Sequence, residues 1–352
     1  MSYTFTPSSS RDRTLYAQII TGPRTIQNAS GVWTNTGTSN VRFNTFGPSS
    51  TNPVNSPTYK TGNRSRLQGL RGRQGGSWTL NKPFFPSGSA GVRPDDDTIL
   101  ESIFGATGTV VASTSVTYNL IDTLKFLGFY DYNKTPGASS PTNRYVLGAI
   151  PQSVKFMGGG NFFDMEISGT SVGVADSVNF PSYVGGPDAP LGGGLTTFPA
   201  EPTVSTNGNV IPGFGSGAGF SIGGSPMAEV RGTVEISMAM GVEAIADALD
   251  DQYVIGFVGG LREIGISSIT CIDSDSTLLN SLKAASLTKA PQVLAFQFGN
   301  VAGSIVTVNL TNVQIGNMSW EEAGAALNIK FGESAGSATT SALTNELNVV
   351  LT

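Results

Sequence analysis

The chain has 352 residues, of which 45 are Gly and 19 Pro, with 39% apolar and only 13% charged side chains. That composition fits two cores of short strands and many turns, and it excludes long helices and disorder. The absence of His removes the commonest general base and metal ligand, and a lone Cys271 excludes a disulfide framework.

The net charge of −5 is unevenly spread. Residues 1–94 hold eleven Lys or Arg and one acid, a balance of +10, while the rest holds nine bases and twenty-four acids, a balance of −15. A basic front on an acidic body points to copies attracting one another head to tail, or to a nucleic-acid-binding arm. The N-terminus is polar, without a charged-then-apolar leader, and no apolar run reaches membrane length. Folding in the cytoplasm is the simplest expectation.

In chain order, residues 1–70 read as a basic, polar arm or long loop, in which alternating Leu15, Ala17 and Ile19 offer one strand to the first domain. Residues 60–73 (KTGNRSRLQGLRGR) pack five bases without an acid. No aromatic ring for base stacking lies in that run. The expected use is therefore docking of Arg64, Arg66, Arg71 and Arg73 on acidic residues of a neighbouring subunit or ring. A first domain over 71–176 opens with a strand at 76–85, a Pro/Gly-punctuated loop and a short helix. Strands at 115–120, 123–130, 145–150, 153–157 and 162–168 follow.

Residues 177–228, rich in Gly and Pro, read as a linker or insertion. Within them Gly213-Phe214-Gly215-Ser216-Gly217 lacks the flanking elements and the Lys of a phosphate loop, so it is linker glycine. The second domain, 229–352, begins with Val234, Ile236, Met238 and Met240 in strict alternation. A hairpin loop at 241–260 carries Glu243, Asp247, Asp250 and Asp251. Strands at 264–272, 291–299, 304–315 and 327–331 follow, and 341–352 offers an edge strand. Between Leu310 and Val313 the inward phase flips, which predicts a bulge at Thr311-Asn312.

Two echoes link the halves. Asp96-Asp97-Thr98-Ile99-Leu100-Glu101-Ser102-Ile103 returns as Asp275-Ser276-Thr277-Leu278-Leu279-Asn280-Ser281-Leu282, an offset of 179. Each reads as a capped amphipathic helix, led by Thr98 or Thr277 and burying Leu100 and Ile103, or Leu279 and Leu282, on its own sheet. Thr98 and Glu101 also have capping-box spacing. The strand of Phe163, Met165 and Ile167 returns as Leu327, Ile329 and Phe331, an offset of 164. Tandem duplication explains both. Asp95, Asp96, Asp97, Asp273 and Asp275 read as helix-start carboxylates rather than as cation ligands. No enzyme, metal site or cofactor is expected.

The pieces GGSWTLNKPFF, PDDDTILESIFG, FFDMEISGTS, FQFGNVAGSIVTVNLTNVQIG and ALNIKFGES stand in an order that resembles the major tail tube proteins of long-tailed, siphovirus-like bacteriophages. The resemblance covers residues 70–176 and 229–335 and rests on pattern rather than on an invariant signature. It implies a mainly β chain of tandem β-sandwich or barrel tail-tube domains, each with one short flanking helix. It further implies rings that stack into a hollow tube through which double-stranded DNA passes, without specific binding, into the host cell. Two tube domains per chain would make a trimeric, pseudo-hexameric ring. Its partners would be itself, a tape measure protein, a tail terminator and baseplate or tip proteins, in a virion tail assembled in the host cytoplasm. A conduit must not hold its cargo, so Glu235, Glu243, Asp247, Asp250 and Asp251 are the candidate lumen acids. The alternatives are another virion β-protein, such as a head decoration or tail-terminator protein, and a nucleic-acid-binding module.

Overall fold

A computed structural model describes residues 13–24, 38–51, 54–55, 70–71, 74–133, 143–158, 161–176, 198–202, 206, 208–212, 219–245, 253–323, 326–336 and 346–352. The chain is mainly β, with two short helices among the described residues. β1 (Arg13–Ile20) makes a hairpin with β2 (Thr38–Val41). β3 (Thr45–Thr51) and β4 (Val54–Asn55) run out, and β5 (Leu70–Arg71) and β6 (Gly75–Pro83) return beside them. Period-2 alternation turns Trp78, Leu80 and Lys82 of β6 inward. Helix α1 (Asp97–Phe104) leads to the hairpin β7 (Thr109–Val111) and β8 (Ser115–Asn119). β9 (Phe126–Asn133), β10 (Arg144–Gly158), β11 (Asp164–Ser171) and β12 (Gly173–Asp176) close this half.

The second half starts with the hairpin β13 (Gly219–Ile222) and β14 (Ser225–Met227). An outgoing arm of β15 (Val230–Arg231), β16 (Val234–Ala239) and β17 (Glu243–Ile245) pairs with a returning arm of β18 (Gly256–Val258), β19 (Glu263–Ile266) and β20 (Ile269–Ile272). After helix α2 (Thr277–Thr288) come β21 (Gln292–Phe298), β22 (Val306–Gln314), β23 (Met318–Ala323), β24 (Ala326–Phe331), β25 (Ser334–Gly336) and β26 (Leu347–Leu351).

The ladders of the first half recur in the second. β1–β2, β1–β9, β9–β10, β10–β11, β11–β6 and β6–β3 correspond to β13–β14, β13–β21, β21–β22, β23–β24, β24–β20 and β20–β15, all antiparallel. Register is kept as well. Phe156 faces Met165 and Trp320 faces Ile329, both members displaced by 164 residues. The expected bulge at Thr311-Asn312 is present, since Leu310 faces Leu294 whereas Val313 faces Gln292. Its mate lies at the same displacement, between Val146 and Ala149. There Gly148 adopts φ +58°, and a Cβ would sit 2.1 Å from the Pro23 carbonyl oxygen. Only Gly fits.

The halves share sheets. β10 pairs with β16, and β8 pairs with β26. Phe163 stacks on Phe298 with centroids 4.4 Å apart, and Arg262 reaches Asp122 at 2.9 Å and Glu346 at 3.2 Å. One contiguous apolar cluster runs from Leu15 to Leu351. The pairings branch at β10 and β22, and no path through them returns to its start, so no barrel closes among the described residues.

Several expectations differ. The strands expected at 145–150 and 153–157 are one strand, β10, which runs on through Pro151, opposite Gly169, and the register shift between Pro151 and Ser153. The strand expected at 264–272 breaks into β19 and β20, which join different sheets. β26 is no edge, since it lies between β22 and β8. Residues 1–70 do contribute the strand expected at Leu15, Ala17 and Ile19, as β1, whereas 177–228 contain β13 and β14, which are too short for a periodic signal. The glycines of 213–217 lie outside the described residues.

The two helices are not alike. Residues 98–104 of α1 are all buried, whereas α2 buries Leu279, Leu282, Ala285 and Ser286 and exposes Leu287. Leu100→Ala and Leu279→Ala should each lower unfolding free energy by about 2–5 kcal/mol. Leu287→Ala should cost less than about 0.5 kcal/mol, all three read from urea titrations.

Candidate assembly interface

Of the expected contact residues, Arg64, Arg66 and Arg73 lie outside the described residues, as do the expected lumen acids Asp247, Asp250 and Asp251. Arg71 ends β5. Glu243 is exposed at the start of β17. Glu235, on β16, is half-exposed and meets Lys155 of β10 at 3.2 Å, so the junction between the halves already neutralises part of its charge.

The helix starts are built differently from the expectation. Thr98 is the second residue of α1, and its hydroxyl is 2.6 Å from Ser39 Oγ; it caps nothing, and Glu101 reaches Lys125 at 2.7 Å instead of closing a capping box. Asp96 holds the cap position without a side-chain cap bond. Its carboxylate is ion-paired with Lys82 and accepts the Phe85 N–H at 3.0 Å, with both charged side chains buried. Burial pushes Lys82 below the ordinary amine range, against the pull of Asp96. Thr277 is likewise the first residue of α2 and not its cap. Ser276 caps, its hydroxyl oxygen accepting Leu279 N–H at 3.1 Å.

Part of the charge split is resolved inside the first half, where Arg13, Arg42, Lys82 and Arg93 are paired with acids. Arg13 grips the buried Asp131 through Nε at 3.0 Å and a second nitrogen at 2.7 Å, and Arg144 joins the same carboxylate at 2.8 Å. Arg42 meets Asp95 at 2.7 Å and lies over the Phe85 ring at 3.6 Å. Arg93 bridges Asp97 and Glu101. Burial raises Asp97 above the ordinary carboxylate range, opposed by the Tyr118 hydroxyl donating at 2.6 Å. The sequence showed the asymmetry but not these partners, which lie 4 to 118 residues away.

What remains open is strand edge. Among the described residues, β3 pairs only with β6, and β23 only with β24. Both edges are exposed, and Trp320 is 56% accessible. Unpaired strand edges template association. Sequence reasoning missed them because an edge is a property of neighbours. Cys271 is buried in β20, with its thiol pushed up to about 12, and is chemically quiet. No group of three His, Cys, Asp or Glu side chains could hold a metal ion among the described residues.

Lys82→Met should destabilise the fold by about 3–5 kcal/mol, because it leaves the Asp96 carboxylate buried and uncompensated. Lys82→Met with Asp96→Asn should recover part of that loss in the same urea titration. No family model matches the chain, and no curated protein matches it in sequence.

Proposed function

We propose that the chain is a structural virion protein, a tail tube subunit built from two tandem β-sandwich tube domains, each flanked by one short helix. The observation that carries this reading is the recurrence of six ladders with a shared bulge, joined through β10 and β16 into a sheet that crosses from one half to the other. A chain whose halves are already neighbours in such a sheet needs only three copies to complete a pseudo-sixfold ring. Rings stack into a hollow tube in the virion tail, assembled in the host cytoplasm beside a tape measure protein, a tail terminator and baseplate or tip proteins.

In this reading the tube is a passive conduit, not an enzyme. Acids of the β16–β18 hairpin, with Glu243 the clearest because Glu235 is paired, give the lumen a negative wall that repels duplex DNA. Arg64, Arg66, Arg71 and Arg73 then serve contacts between subunits or rings. Surface pairs of this kind are worth about 0–1 kcal/mol each, yet they repeat around every ring.

Purified protein examined by negative-stain microscopy should form tubes of uniform width with three copies per ring. Globular monomers at all concentrations, or six copies of this chain per ring, would contradict the proposal. Reversing the four arginines to Glu should block polymerisation and leave the monomer folded by circular dichroism. Assembled tubes should not pellet with duplex DNA at physiological salt. Co-pelleting that disappears as salt rises would favour the nucleic-acid-binding reading instead.

A further inference from the structure

The junction inside the chain has a mate that is left open. The C-terminal part of β10 is flanked by β11 on one side and by β16 of the second half on the other. Its counterpart in the second half is β23, whose pairing with β24 repeats β10–β11 residue for residue. Nothing described pairs with the other side of β23, where Ser319, Trp320, Glu321 and Glu322 are exposed. The strand that reaches across, β16, also has a counterpart. Ile236 of β16 faces Ile266, Leu80 of β6 corresponds to Ile269 of β20, and so Ser77 corresponds to Ile266. Ser77 faces Ser49 of β3. β3 is therefore the first-half equivalent of β16, and its outer side is open, with Gly47, Ser49, Ser50 and Thr51 exposed. Among the described residues, β23 and β3 are thus the open counterparts of the two strands that meet at the internal junction.

We propose that β23 of one copy pairs antiparallel with β3 of the next, in the register of β10–β16, so that the sheet continues head to tail through successive copies. This rests on the reading of the chain as a ring-forming subunit and names the strands that close the ring. Transferring the pair Phe156–Ile236 sets Trp320 opposite Ser49, and transferring Val154–Met238 sets Met318 opposite Thr51. The contact is heterologous, as ring closure requires. Pro48 withdraws one N–H from β3, which shortens the ladder by at most one bond. The second internal junction, β8–β26, has no such mate. β8 belongs to a hairpin between α1 and β9, and only Lys289, Ala290 and Pro291 separate α2 from β21. Among the described residues, copies are thus joined by one ladder where the halves of a chain share two.

The register can be read by crosslinking. Cα atoms of directly opposed residues in an antiparallel pair lie roughly 4.5–5.5 Å apart, within disulfide reach. Full-length protein carrying Ser49→Cys and Trp320→Cys, assembled and mildly oxidised with diamide, should give covalent multimers on non-reducing gels. Either single variant should give none, since Cys271 is buried. The pair Ser49→Cys with Leu287→Cys, which puts one thiol on an exposed helix face, is the control for random encounter. Multimers at the control level, or none while tubes still form, would overturn the junction and leave the tube reading standing. A ladder ending at three copies fits both. A ladder running past three supports the junction but contradicts the three-copy ring.

Discussion

Strand β10 carries the constraint on which the rest of the structure depends. Its fifteen residues are hydrogen-bonded to four strands, with β9 and β12 along its first part and β11 and β16 along its last. β10 leaves β9 after Ala149, meets β11 from Ile150 and β16 from Ser153, and between them the Gln152 side-chain amide donates to the Val242 carbonyl at 2.9 Å. Backbone groups buried in a core must be paired, so β10 cannot be withdrawn from one layer without orphaning the other. Because one of those four partners belongs to the second half, the two halves fold around a common strand. Gly158 tightens the seam, as a Cβ there would run into the Phe298 ring.

The halves keep the same backbone pairing while solving their cores differently. Facing Met165 on β11 is Lys82; at the equivalent place facing Ile329 on β24 is Cys271. The first half therefore needs Asp96 to neutralise a buried ammonium, and α1 is drawn inward where its carboxylates also meet Arg93 and Tyr118. The second half has no buried cation at that place, so its helix is held by a Ser276 cap and a narrower apolar face. Buried pairs of this kind are weak evidence for stability but leave little freedom in how neighbours fit. In this chain the pair fixes where α1 starts.

Much of the strand pattern was legible because period-2 alternation is local. Val234 to Met238, the phase flip at Thr311-Asn312 and the echo of Met165 and Ile167 in Ile329 and Phe331 could all be read from residues a few positions apart. The caps were misread for a physical reason. Asp96 and Thr98 have the chemistry of capping residues, but Lys82 and Ser39 compete for them from elsewhere in the chain. The short strands β13 and β14 gave no periodic signal, and their glycines resemble those of a linker. Open edges were invisible for the same reason as the ion pairs, since both are defined by partners distant in sequence.

The central claim is that a sheet crossing between the halves of one chain continues into the next chain. Amide hydrogen exchange on free and assembled protein tests it most directly, because an edge N–H exchanges freely until a strand pairs with it. The account predicts that protection on assembly rises in Thr45–Thr51 and Met318–Ala323, while β10 and β16, already paired, change little. Assembly that protects other surfaces and leaves both of those strands exchanging as in the free chain would contradict it.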